Sequence, residues 1–507
     1  MTPMASSEIE RKYDVTDATP LPLLQALPAI ERVSDPVEFE LEAVYWDTAD
    51  FALAARRITL RRRTGGADAG WHLKLPVSAD ERLELAEPLG TAPGDIPEAI
   101  LQEVRACVRG RPLVPIARLH THRAVRRLLG ADETILAVFC DDQVHASRLV
   151  PAPASLDWRE WEIELVAGDA SILDAVEPML ADAGARPSGY ASKLARALGD
   201  QFPTLWPTSF PVPRRKALAI DVLLSYVHAQ MRLLTLQDPL VRHEQPDAVH
   251  QMRVACRRLR SVLATYRPLL DGDEANQLRT ELRWLARALG SARDLQVIQE
   301  RLTQRLSTEP PELIVGPIAL RITEQLETDS RAAQIAGLAA LDSARYIRLL
   351  DALDAFLAAP PVTETAGTSA RRTIPRLIKK EWKKLRTLVR VAQAAPPGSH
   401  ARDLALHEVR KRAKRLRCAA EAAIPVHRKA ARRLAVAAQE VQTILGEHKD
   451  SVVARELLLG LASAARLRGE SGFSYGRLHA LEQSSAAASE AEFKRAWRRF
   501  AQPALKR

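Results

Sequence analysis

The sequence from residue 8 to residue 12, Glu8-Ile9-Glu10-Arg11-Lys12, decides how the rest of the chain is interpreted. On an extended strand the side chains of Glu8, Glu10 and Lys12 lie on one face, because side chains alternate between the two faces. Carboxylate oxygens are the ligands that Mg²⁺ prefers, and an ammonium group beside them suits a bridging phosphate. A solvated edge strand with alternating charges would also explain this pentapeptide, so charges elsewhere in the chain have to decide between the two interpretations.

The distribution of charge separates the chain into two parts. Of its 507 residues, 47% are hydrophobic and 27% are charged, which is typical of globular proteins. The length suggests about three domains. Residues 1–200 hold 22 Lys/Arg and 32 Asp/Glu, whereas residues 201–507 hold 51 and 31. The net charges of −10 and +20 favour metal ions as ligands of the first part and a polyanion as the partner of the second.

The cysteines and the apolar segments of the sequence indicate the cellular compartment of the protein. The four cysteines have no C-x-x-C spacing, which argues against a zinc site or a disulfide scaffold and fits a reducing compartment. No basic and apolar leader precedes Glu8, and no later segment approaches about eighteen uninterrupted apolar residues. The sequence therefore predicts a cytoplasmic protein without a membrane partner.

Breaks in the chain mark the predicted domain boundaries. Residues 203–213 contain four prolines, so neither a helix nor a central strand can continue through them. A second break at residues 360–369 divides the basic part. We predict a first domain at 1–202, a linker at 203–213 and a helical domain at 214–500, with halves at about 214–358 and 370–500.

The first 200 residues alternate apolar and polar side chains in short segments, the pattern of a strand-rich domain. The predicted strands are 7–14, 37–46, 57–63, 70–76, 82–87, 134–147 and 158–167. Arg61 and Arg63 share one face of their strand, as Glu162 and Glu164 share one face of theirs. Buried charge at this density is costly unless it is paired or meets a ligand of opposite sign. A closed sheet would bring these rows of charge inside together.

A longer series of residues has the order and spacing of a known family. The series is Glu8-x-Glu10-x-Lys12, Tyr45-Trp46-Asp47-Thr48, Leu60-Arg61-Arg62-Arg63, Lys74, Glu84, Arg123, Asp142, Glu162-x-Glu164 and Ser192-Lys193. It resembles the CYTH family of triphosphate tunnel metalloenzymes over about residues 5–200. The resemblance implies an eight-stranded antiparallel tunnel that holds a divalent metal, Mg²⁺ or else Mn²⁺, and a triphosphate. The implied metal ligands are Glu8, Glu10, Glu162, Glu164 and Asp142. The implied triphosphate ligands are Lys12, Arg61, Arg63, Lys74, Arg123 and Lys193.

The chemistry of triphosphate hydrolysis agrees with these residue types. A triphosphate and its leaving pyrophosphate carry several negative charges, so catalysis depends on positioning and on neutralisation by metal and basic side chains. A second metal ion could activate water. No serine, cysteine or histidine nucleophile belongs to the constellation, so we expect direct attack by water. The sequence does not show which carboxylate acts as general base.

The second part is helical and contains an internal repeat. Residues 250–260, His-Gln-Met-Arg-Val-Ala-Cys-Arg-Arg-Leu-Arg, align without gaps to residues 407–417, His-Glu-Val-Arg-Lys-Arg-Ala-Lys-Arg-Leu-Arg. Downstream, residues 289–294 align with residues 445–450. On a helix the first, fourth, eighth and eleventh positions of each copy fall within about 80° of arc, which makes one basic stripe per copy. A solvated face would explain one such stripe, but its recurrence favours an anionic ligand, because like charges four residues apart repel.

This repeat resembles the CHAD family, the conserved-histidine α-helical domains, over about residues 214–500. The resemblance implies two four-helix bundles with pseudo-twofold symmetry whose basic surfaces bind inorganic polyphosphate and place the protein on polyphosphate granules. The implied polyphosphate ligands are His250, Arg253, Arg257, Arg260, Lys379, Lys383, His407, Arg410, Lys414 and Arg417. Gln296 departs from the family, which often has an acidic residue there. We expect Asp294 and Asp450 to orient arginines or cap helices rather than bind metal.

Composition weighs against other partners of the basic part. Nucleic-acid binding would use aromatic side chains for stacking, but aromatics make up 5% of the chain and none interleaves with the stripes. Membrane binding would need an exposed apolar face, which these helices use for their cores.

We therefore predict an α+β protein with two activities. Its tunnel hydrolyses inorganic triphosphate, most simply tripolyphosphate, with Mg²⁺, and its helical domain binds long-chain polyphosphate. A non-catalytic protein that anchors to polyphosphate and a nucleoside or thiamine triphosphatase stay open as alternatives. An adenylyl cyclase ranks below them, because the sequence shows no nucleoside pocket.

Overall fold

The computed structural model of the protein describes residues 4–27, 29–77, 81–90, 92, 94–150, 152–203, 212–214, 216–245 and 247–500, without the side chains of residues 4, 5, 7, 291–294 and 296. The chain divides into two compact units, Met1–Ser209 and Phe210–Arg507. Of the predicted linker, only Pro203, Val212 and Pro213 lie within the described residues.

The first unit is built around a closed antiparallel sheet. Its strands are β1 (Met4–Val15), β2 (Arg32–Val33), β3 (Val37–Thr48), β4 (Thr59–Thr64), β5 (Gly70–Pro76), β6 (Glu81–Glu87), β7 (Leu113–Leu129), β8 (Ile135–Arg148), β9 (Ala154–Leu165) and β10 (Arg186–Pro187). Eight of them follow the order β1-β6-β5-β4-β3-β7-β8-β9, and β9 pairs with β1 to close the ring. The two-residue strands β2 and β10 pair with β7 and β1. The prediction of an eight-stranded antiparallel tunnel is confirmed.

Strand β7 is not predicted by the alternation pattern. It is 17 residues long and contains Pro115, which cannot donate a hydrogen bond to a neighbouring strand. Its register with β3 shifts at this point, since Trp46 pairs with Pro115 whereas Tyr45 pairs with Ala117. Ile116 is therefore the extra residue of a β-bulge, one of the few places where a sheet tolerates proline.

The interior of the closed sheet has an apolar end and a charged part. The helices of this unit are α1 (Glu98–Val108), α2 (Ala170–Asp182) and α3 (Lys193–Leu198). At the apolar end, Tyr45, Val144 and Trp158 pack with Leu194 and Leu198 of α3. Two residues away from Val144 on β8, and from Trp158 on β9, the same inward face carries carboxylates. The first residue of α3 therefore lies at the boundary between the apolar and charged parts.

Asp47 has a structural role in the Tyr45-Trp46-Asp47-Thr48 motif. It is about 1% exposed, and its carboxylate accepts hydrogen bonds from the backbone N–H groups of Thr48, Leu53 and Ala54 at 2.7, 2.8 and 2.8 Å. These three donors belong to the chain that leaves β3. Asp47 therefore fixes the path from β3 towards β4, which carries the inward arginines.

Replacement of Asp47 by alanine should destabilise the first unit by about 2–4 kcal/mol, because three buried amides would lose their acceptor. Hydrogen–deuterium exchange at the amides of Leu53 and Ala54 measures this loss directly. Asp50→Ala is the control, since Asp50 is exposed and pairs only with Arg111 among the contacts described. Equal exchange rates in the two variants would contradict this role of Asp47.

The second unit is helical. Its helices are α4 (Ala219–Arg242), α5 (Ala248–Thr265), α6 (Glu274–Ala288), α7 (Gly290–Ser307), α8 (Ile318–Asp342), α9 (Ala344–Ala358), α10 (Ala370–Ala394), α11 (His400–Leu467) and α12 (Phe473–Arg499). Arg428 has non-helical backbone angles (φ 37°, ψ −110°), so α11 consists of two successive helices. The second copy of the repeat starts before this break and continues after it.

The two copies of the repeat share a hydrophobic core. Leu302 of α7 and Leu326 of α8 pack with Leu458 of α11 and Tyr475 of α12. The first two residues belong to the first copy and the last two to the second. The prediction of an all-helical second domain is confirmed, and the shared core holds its two halves in a fixed relation.

Candidate functional site

The charged part of the tunnel contains a buried cluster around Lys193, the first residue of α3. Its ammonium lies 2.8 Å from Asp142 Oδ2 and 2.7 Å from an oxygen of each of Glu160 and Glu162. Arg123 donates to both oxygens of Asp142, at 2.7 and 2.6 Å, and to Glu162 at 2.6 Å. Burial would raise the pKa of Asp142, but Arg123 and Lys193 hold it below its ordinary value. Asp142, predicted as a metal ligand, thus contacts two cations.

Glu160 belongs to this cluster, although the sequence prediction did not include it. It is about 3% exposed and also accepts a hydrogen bond from Trp158 Nε1 at 2.5 Å. Glu160, Glu162 and Glu164 occupy every second position of β9, so the strand alternation was the signal that could have identified it. Asp142, Glu160 and Glu162 place carboxylate oxygens within 4.8 Å of one another. Their common partner is the Lys193 ammonium.

Two further lysines pair with the carboxylates of β1. Lys74 on β5 donates to both oxygens of Glu8, at 2.6 and 2.5 Å. Lys12 donates to Glu10 at 2.9 Å and also to Glu162. Burial would raise the pKa of Glu10, but Lys12 and Lys74 bring it below its ordinary value. The structure therefore brings predicted metal ligands and predicted phosphate ligands into direct contact.

Glu164 lies among other carboxylates of the tunnel. It pairs in register with Glu10 across β1 and β9, and it is half-buried. Burial and the neighbouring charges of Glu8, Glu10 and Glu162 raise the pKa of Glu164 to about 7 against the opposing effect of Lys74. A hard divalent cation would relieve this repulsion, and carboxylate oxygens are the donors it takes. Glu8, Glu10 and Glu164 supply donors of this chemical type, but Asp142, Glu160 and Glu162 are the tunnel carboxylates whose oxygens lie within 4.8 Å of one another.

Positive charge is concentrated on the inward face of β4. The side chain of Arg63 is 7% exposed and pairs with Asp68. Burial, followed by the charges of Arg61 and Arg123, lowers the pKa of Arg63 to about 9. A nearby anion would oppose this shift, since opposite charge favours the charged form. This part of the tunnel therefore favours an anionic ligand.

Glu84 on β6 lies among these cations. Its carboxylate is 2.8 Å from His72 Nδ1 and 3.9 Å from both Arg61 and Lys74. Burial would raise the pKa of Glu84, but His72, Lys74 and Arg61 lower it below its ordinary value. Glu84 belongs to the series of residues by which the sequence resembles a known family, but it was not among the predicted ligands. Its contacts indicate that it positions Arg61 and Lys74, two of the predicted phosphate ligands.

The basic stripes of the two repeat copies meet in one groove of the helical unit. Two overlapping cavities of about 700 and 610 Å³ make up this groove. Both are lined by Arg253, Arg257, His407, Arg410 and Lys414. Further lining comes from His250, Arg258, Arg417 and Lys449 in the first cavity and from Arg260, Arg279, Arg283, Arg287, Lys411, Arg412 and Arg415 in the second. Tertiary packing therefore combines two separate stripes into a single cationic surface.

The groove cations depress one another's pKa. Burial, with the charges of Arg253 and Arg410, lowers the pKa of Arg257 to about 10. The pKa values of Arg260 and Arg415 are lowered by burial and by nearby arginines as well. Glu408 and Asp450 are the acidic side chains that line the two cavities. Positive charge of this density is stabilised by a polyanion.

Two glycines lie beside the first arginine of each stripe. A Cβ atom on Gly290 would lie 3.5 Å from Arg253 Nη2, and one on Gly446 would lie 3.3 Å from Arg410 Nη2. The glycines and the arginines occupy equivalent positions of the two copies. The first arginine of each stripe therefore packs against the equivalent glycine in both copies.

Three sets of residues differ from the sequence prediction in their placement. Lys379 and Lys383 are exposed on α10 and do not line the groove. Arg417 lines it but also pairs with Glu421 at 2.7 Å. The α6 arginines Arg279, Arg283 and Arg287 line it and were missed, although their spacing of four residues was a readable signal. The side chains of Asp294 and Gln296 lie outside the described residues.

Comparison with known proteins gives the relationship of each unit. Family models match residues 6–196 as a CYTH domain and residues 225–459 as a CHAD domain. Uncharacterized proteins from two strains of Mycobacterium tuberculosis are 41% identical over 496 residues, which cover 95% of this chain and 93% of theirs. None of the helices in the described ranges has an apolar stretch that could cross a membrane.

Solved structures give partial matches. PptA from Streptomyces chartreusis is 24% identical with a TM-score of 0.48, covering 56% of this chain and all of its own. The CHAD domain from the plant Ricinus communis is 25% identical with a TM-score of 0.47, covering 58% of this chain and 96% of its own.

Proposed function

We propose, from the premise that this chain belongs to the CYTH family in its first unit and to the CHAD family in its second, that it hydrolyses inorganic triphosphate and binds long-chain polyphosphate. CYTH domains are triphosphate tunnel metalloenzymes, which act on phosphoanhydrides. The observation that carries the proposal is the inward arrangement of Arg61, Arg63 and Arg123 together with the carboxylates of β1 and β9 inside one closed sheet. Cations and metal-binding carboxylates on facing walls suit a metal-bound triphosphate.

Binding would exchange the partners of the tunnel side chains. Lys12, Lys74, Arg123 and Lys193 all contact carboxylates now. Phosphate oxygens would become the acceptors of these cations, as they would of Arg61 and Arg63, through charge-assisted hydrogen bonds. Glu8, Glu10 and Glu164, with Glu162 and Asp142 beside them, would then hold the metal, for which we propose Mg²⁺ with Mn²⁺ as a substitute. The metal would neutralise charge on the transferring phosphoryl group.

Water is the proposed nucleophile. Cys140 precedes Asp142 by two residues on β8 and so shares its inward face. Burial raises the pKa of the Cys140 thiol to about 12, which keeps it protonated and weakly nucleophilic. A carboxylate of the tunnel would accept the proton that water loses. Positioning by lysines and arginines would supply the remainder of the catalysis.

One observation favours a nucleoside or thiamine triphosphate as a second substrate class. An opening of about 420 Å³ beside Glu10 and Lys12 is lined by Arg57, Arg82 and Tyr190. Tyr190 is 43% exposed and could stack on an aromatic ring. The organic end of such a substrate would occupy this opening while its phosphates lie in the tunnel.

Phosphate release from tripolyphosphate, ATP and thiamine triphosphate tests these alternatives. With Mg²⁺ or Mn²⁺, we expect tripolyphosphate to have the highest kcat/KM. A higher value for ATP or thiamine triphosphate that falls in Tyr190→Ala would move the assignment to the organic triphosphate. Tyr190→Phe is the matched control, because it keeps the ring.

For the helical unit, we infer that the groove binds a linear polymer of phosphate, and we further propose association with polyphosphate granules. Its lining combines many cations with few acids, and the cations come from both repeat copies. A polymer that is all phosphate needs only spaced cations, and its binding should fall steeply with salt through counterion release. Co-sedimentation of the full chain with polyphosphate granules at low and high salt tests this assignment.

Binding of polyphosphate should take up a proton at His407. Burial and the charges of Lys411 and Lys449 lower the pKa of His407 to about 4, so its imidazole is neutral at pH 7. Bound phosphate would offset those cations and raise the pKa of His407. The complex then holds more protons than its free components, so affinity should rise by up to about tenfold as pH falls from 7 to 5.5.

Calorimetric titration at both pH values checks this linkage. His407→Gln should lose the additional affinity at pH 5.5 relative to the natural chain. His400→Gln, at an exposed histidine that begins α11, should keep it. A pH dependence that is unchanged in His407→Gln would contradict the proposed proton uptake.

A further inference from the structure

A second group of metal-type donors lies in the helical unit, outside the groove lining. Asp403 is near the start of α11, His448 follows the break in that helix, and Glu490 is on α12. The three side chains place ligand atoms within 4.8 Å of one another. His448 is about 2% exposed, and its Nε2 lies 3.3 Å from Asp403 Oδ1 and 3.7 Å from Glu490 Oε1.

His448 Nε2 lies between the two carboxylates at ion-pair distance, but neither contact has the geometry of a hydrogen bond. It is a buried nitrogen for which the described residues offer no partner in hydrogen-bond geometry. An orphaned buried polar atom is costly and calls for an explanation. A cation held between the nitrogen and the two oxygens would satisfy all three.

The outer oxygens of the two carboxylates are already held. Arg455 Nη2 donates to Asp403 Oδ2 at 3.0 Å, and Arg402 Nε donates to Glu490 Oε2. Arg402 also donates to the carbonyl oxygens of Ala392 and Ala395, both at 3.0 Å. Each carboxylate is thus oriented with one oxygen turned to an arginine and the other turned to His448. Outer partners that fix the ligating groups are typical of metal sites in proteins.

We propose that Asp403, His448 and Glu490 bind a divalent transition-metal ion that links the helices of the second repeat copy. Metal–ligand lengths of about 2.0–2.2 Å correspond to ligand separations of about 3.0–3.6 Å, close to the two His448 distances. One imidazole and two carboxylates suit Zn²⁺ or Mn²⁺ better than Mg²⁺, which rarely takes imidazole. The ion would join both segments of α11 to α12.

The two repeat copies differ at this site. The repeat alignment places Ala292 opposite His448 and Pro246 opposite Asp403. The donor set is therefore specific to the second copy, whereas the basic stripes occur in both. This difference separates the proposed metal site from the polyphosphate groove.

Metal titration of the full chain tests the proposal. The full chain carries Glu8→Gln/Glu10→Gln, which weakens metal binding in the tunnel, and a chelator first removes any bound metal. It is then titrated with Co²⁺, whose visible absorption reports coordination, and separately with Zn²⁺ by calorimetry. We expect one equivalent with an absorption band, and at least a tenfold loss of affinity in His448→Ala and in Glu490→Gln. His400→Ala, which removes an exposed histidine of the same helix, should bind as before.

Two outcomes would overturn the proposal. One is the absence of any Co²⁺ band in a chain with intact helical circular dichroism. The other is undiminished binding in both cluster variants. Glu490→Gln preserves side-chain volume, so it supplies the comparison if His448→Ala lowers the helical signal.

Discussion

Phosphate release from tripolyphosphate should fall about a thousandfold when Glu8 and Glu10 are both replaced by glutamine. Two of the five carboxylates proposed to hold the metal would become neutral amides, which bind Mg²⁺ weakly. The same change removes the nearer of two anionic partners of Lys74 and one of those of Lys12. The measurement is the steady-state rate with Mg²⁺ at pH 8, where Glu164 is ionised because its pKa is about 7.

The matched control for this experiment is Glu133→Gln. Glu133 is an exposed glutamate of the same unit that pairs with Arg32, away from the tunnel interior. Its replacement should leave the rate unchanged, and the double variant should still bind polyphosphate through the helical unit. A double variant that keeps the rate would refute the assignment of the metal carboxylates.

A further result would point to the non-catalytic alternative. If the natural protein binds polyphosphate but releases no phosphate with Mg²⁺ or Mn²⁺, the tunnel would bind the ends of polyphosphate chains without hydrolysing them. The contacts among Lys193, Asp142 and Glu162 would then be structural ion pairs. Turnover in the natural chain, lost in the double variant, separates the two functions.

Local alternation was sufficient to predict most of the strands of the tunnel, whereas their closure into an eight-stranded tunnel was implied by the family resemblance. Glu8, Glu10 and Lys12 share a face in the structure because β1 is a regular strand. Glu160 was missed although it obeys the same rule. Strand β7 was missed, and only its pairing with β3 reveals that Pro115 lies at a bulge. Partner choice, such as Lys74 with Glu8, depends on strand order and not on sequence spacing.

The groove required more than local pattern. Helical periodicity places Arg253 and Arg410 on stripes, but it cannot show that the two stripes face one cavity. That arrangement follows from the packing of two copies around a shared core. Lys379 belongs to the positively charged second part of the sequence, as Arg253 and Arg410 do, but it lies on the exposed face of α10. A run of charge alone therefore does not distinguish a groove residue from a solvated one.

The difference between cations that line the groove and cations exposed to solvent leads to the second prediction of a large effect. Reversal of charge in Arg253→Glu/Arg410→Glu should weaken polyphosphate binding at least a hundredfold, because these residues line both cavities and come from both copies. Reversal in Lys379→Glu/Lys383→Glu should weaken it far less. Each pair lowers the net charge from +10 to +6, so the long-range attraction changes equally in the two variants.

Salt dependence distinguishes direct phosphate binding from general attraction. The slope of log affinity against log salt should become shallower by roughly 0.7–0.9 for each phosphate that the protein no longer neutralises, so only the groove variant should show about two such steps. Circular dichroism establishes that both variants fold, and Arg253→Gln/Arg410→Gln repeats the test without added negative charge. Equal reductions of affinity in the two reversals would mean that the helical unit attracts polyphosphate through its total charge, and the groove would then have no special part in binding.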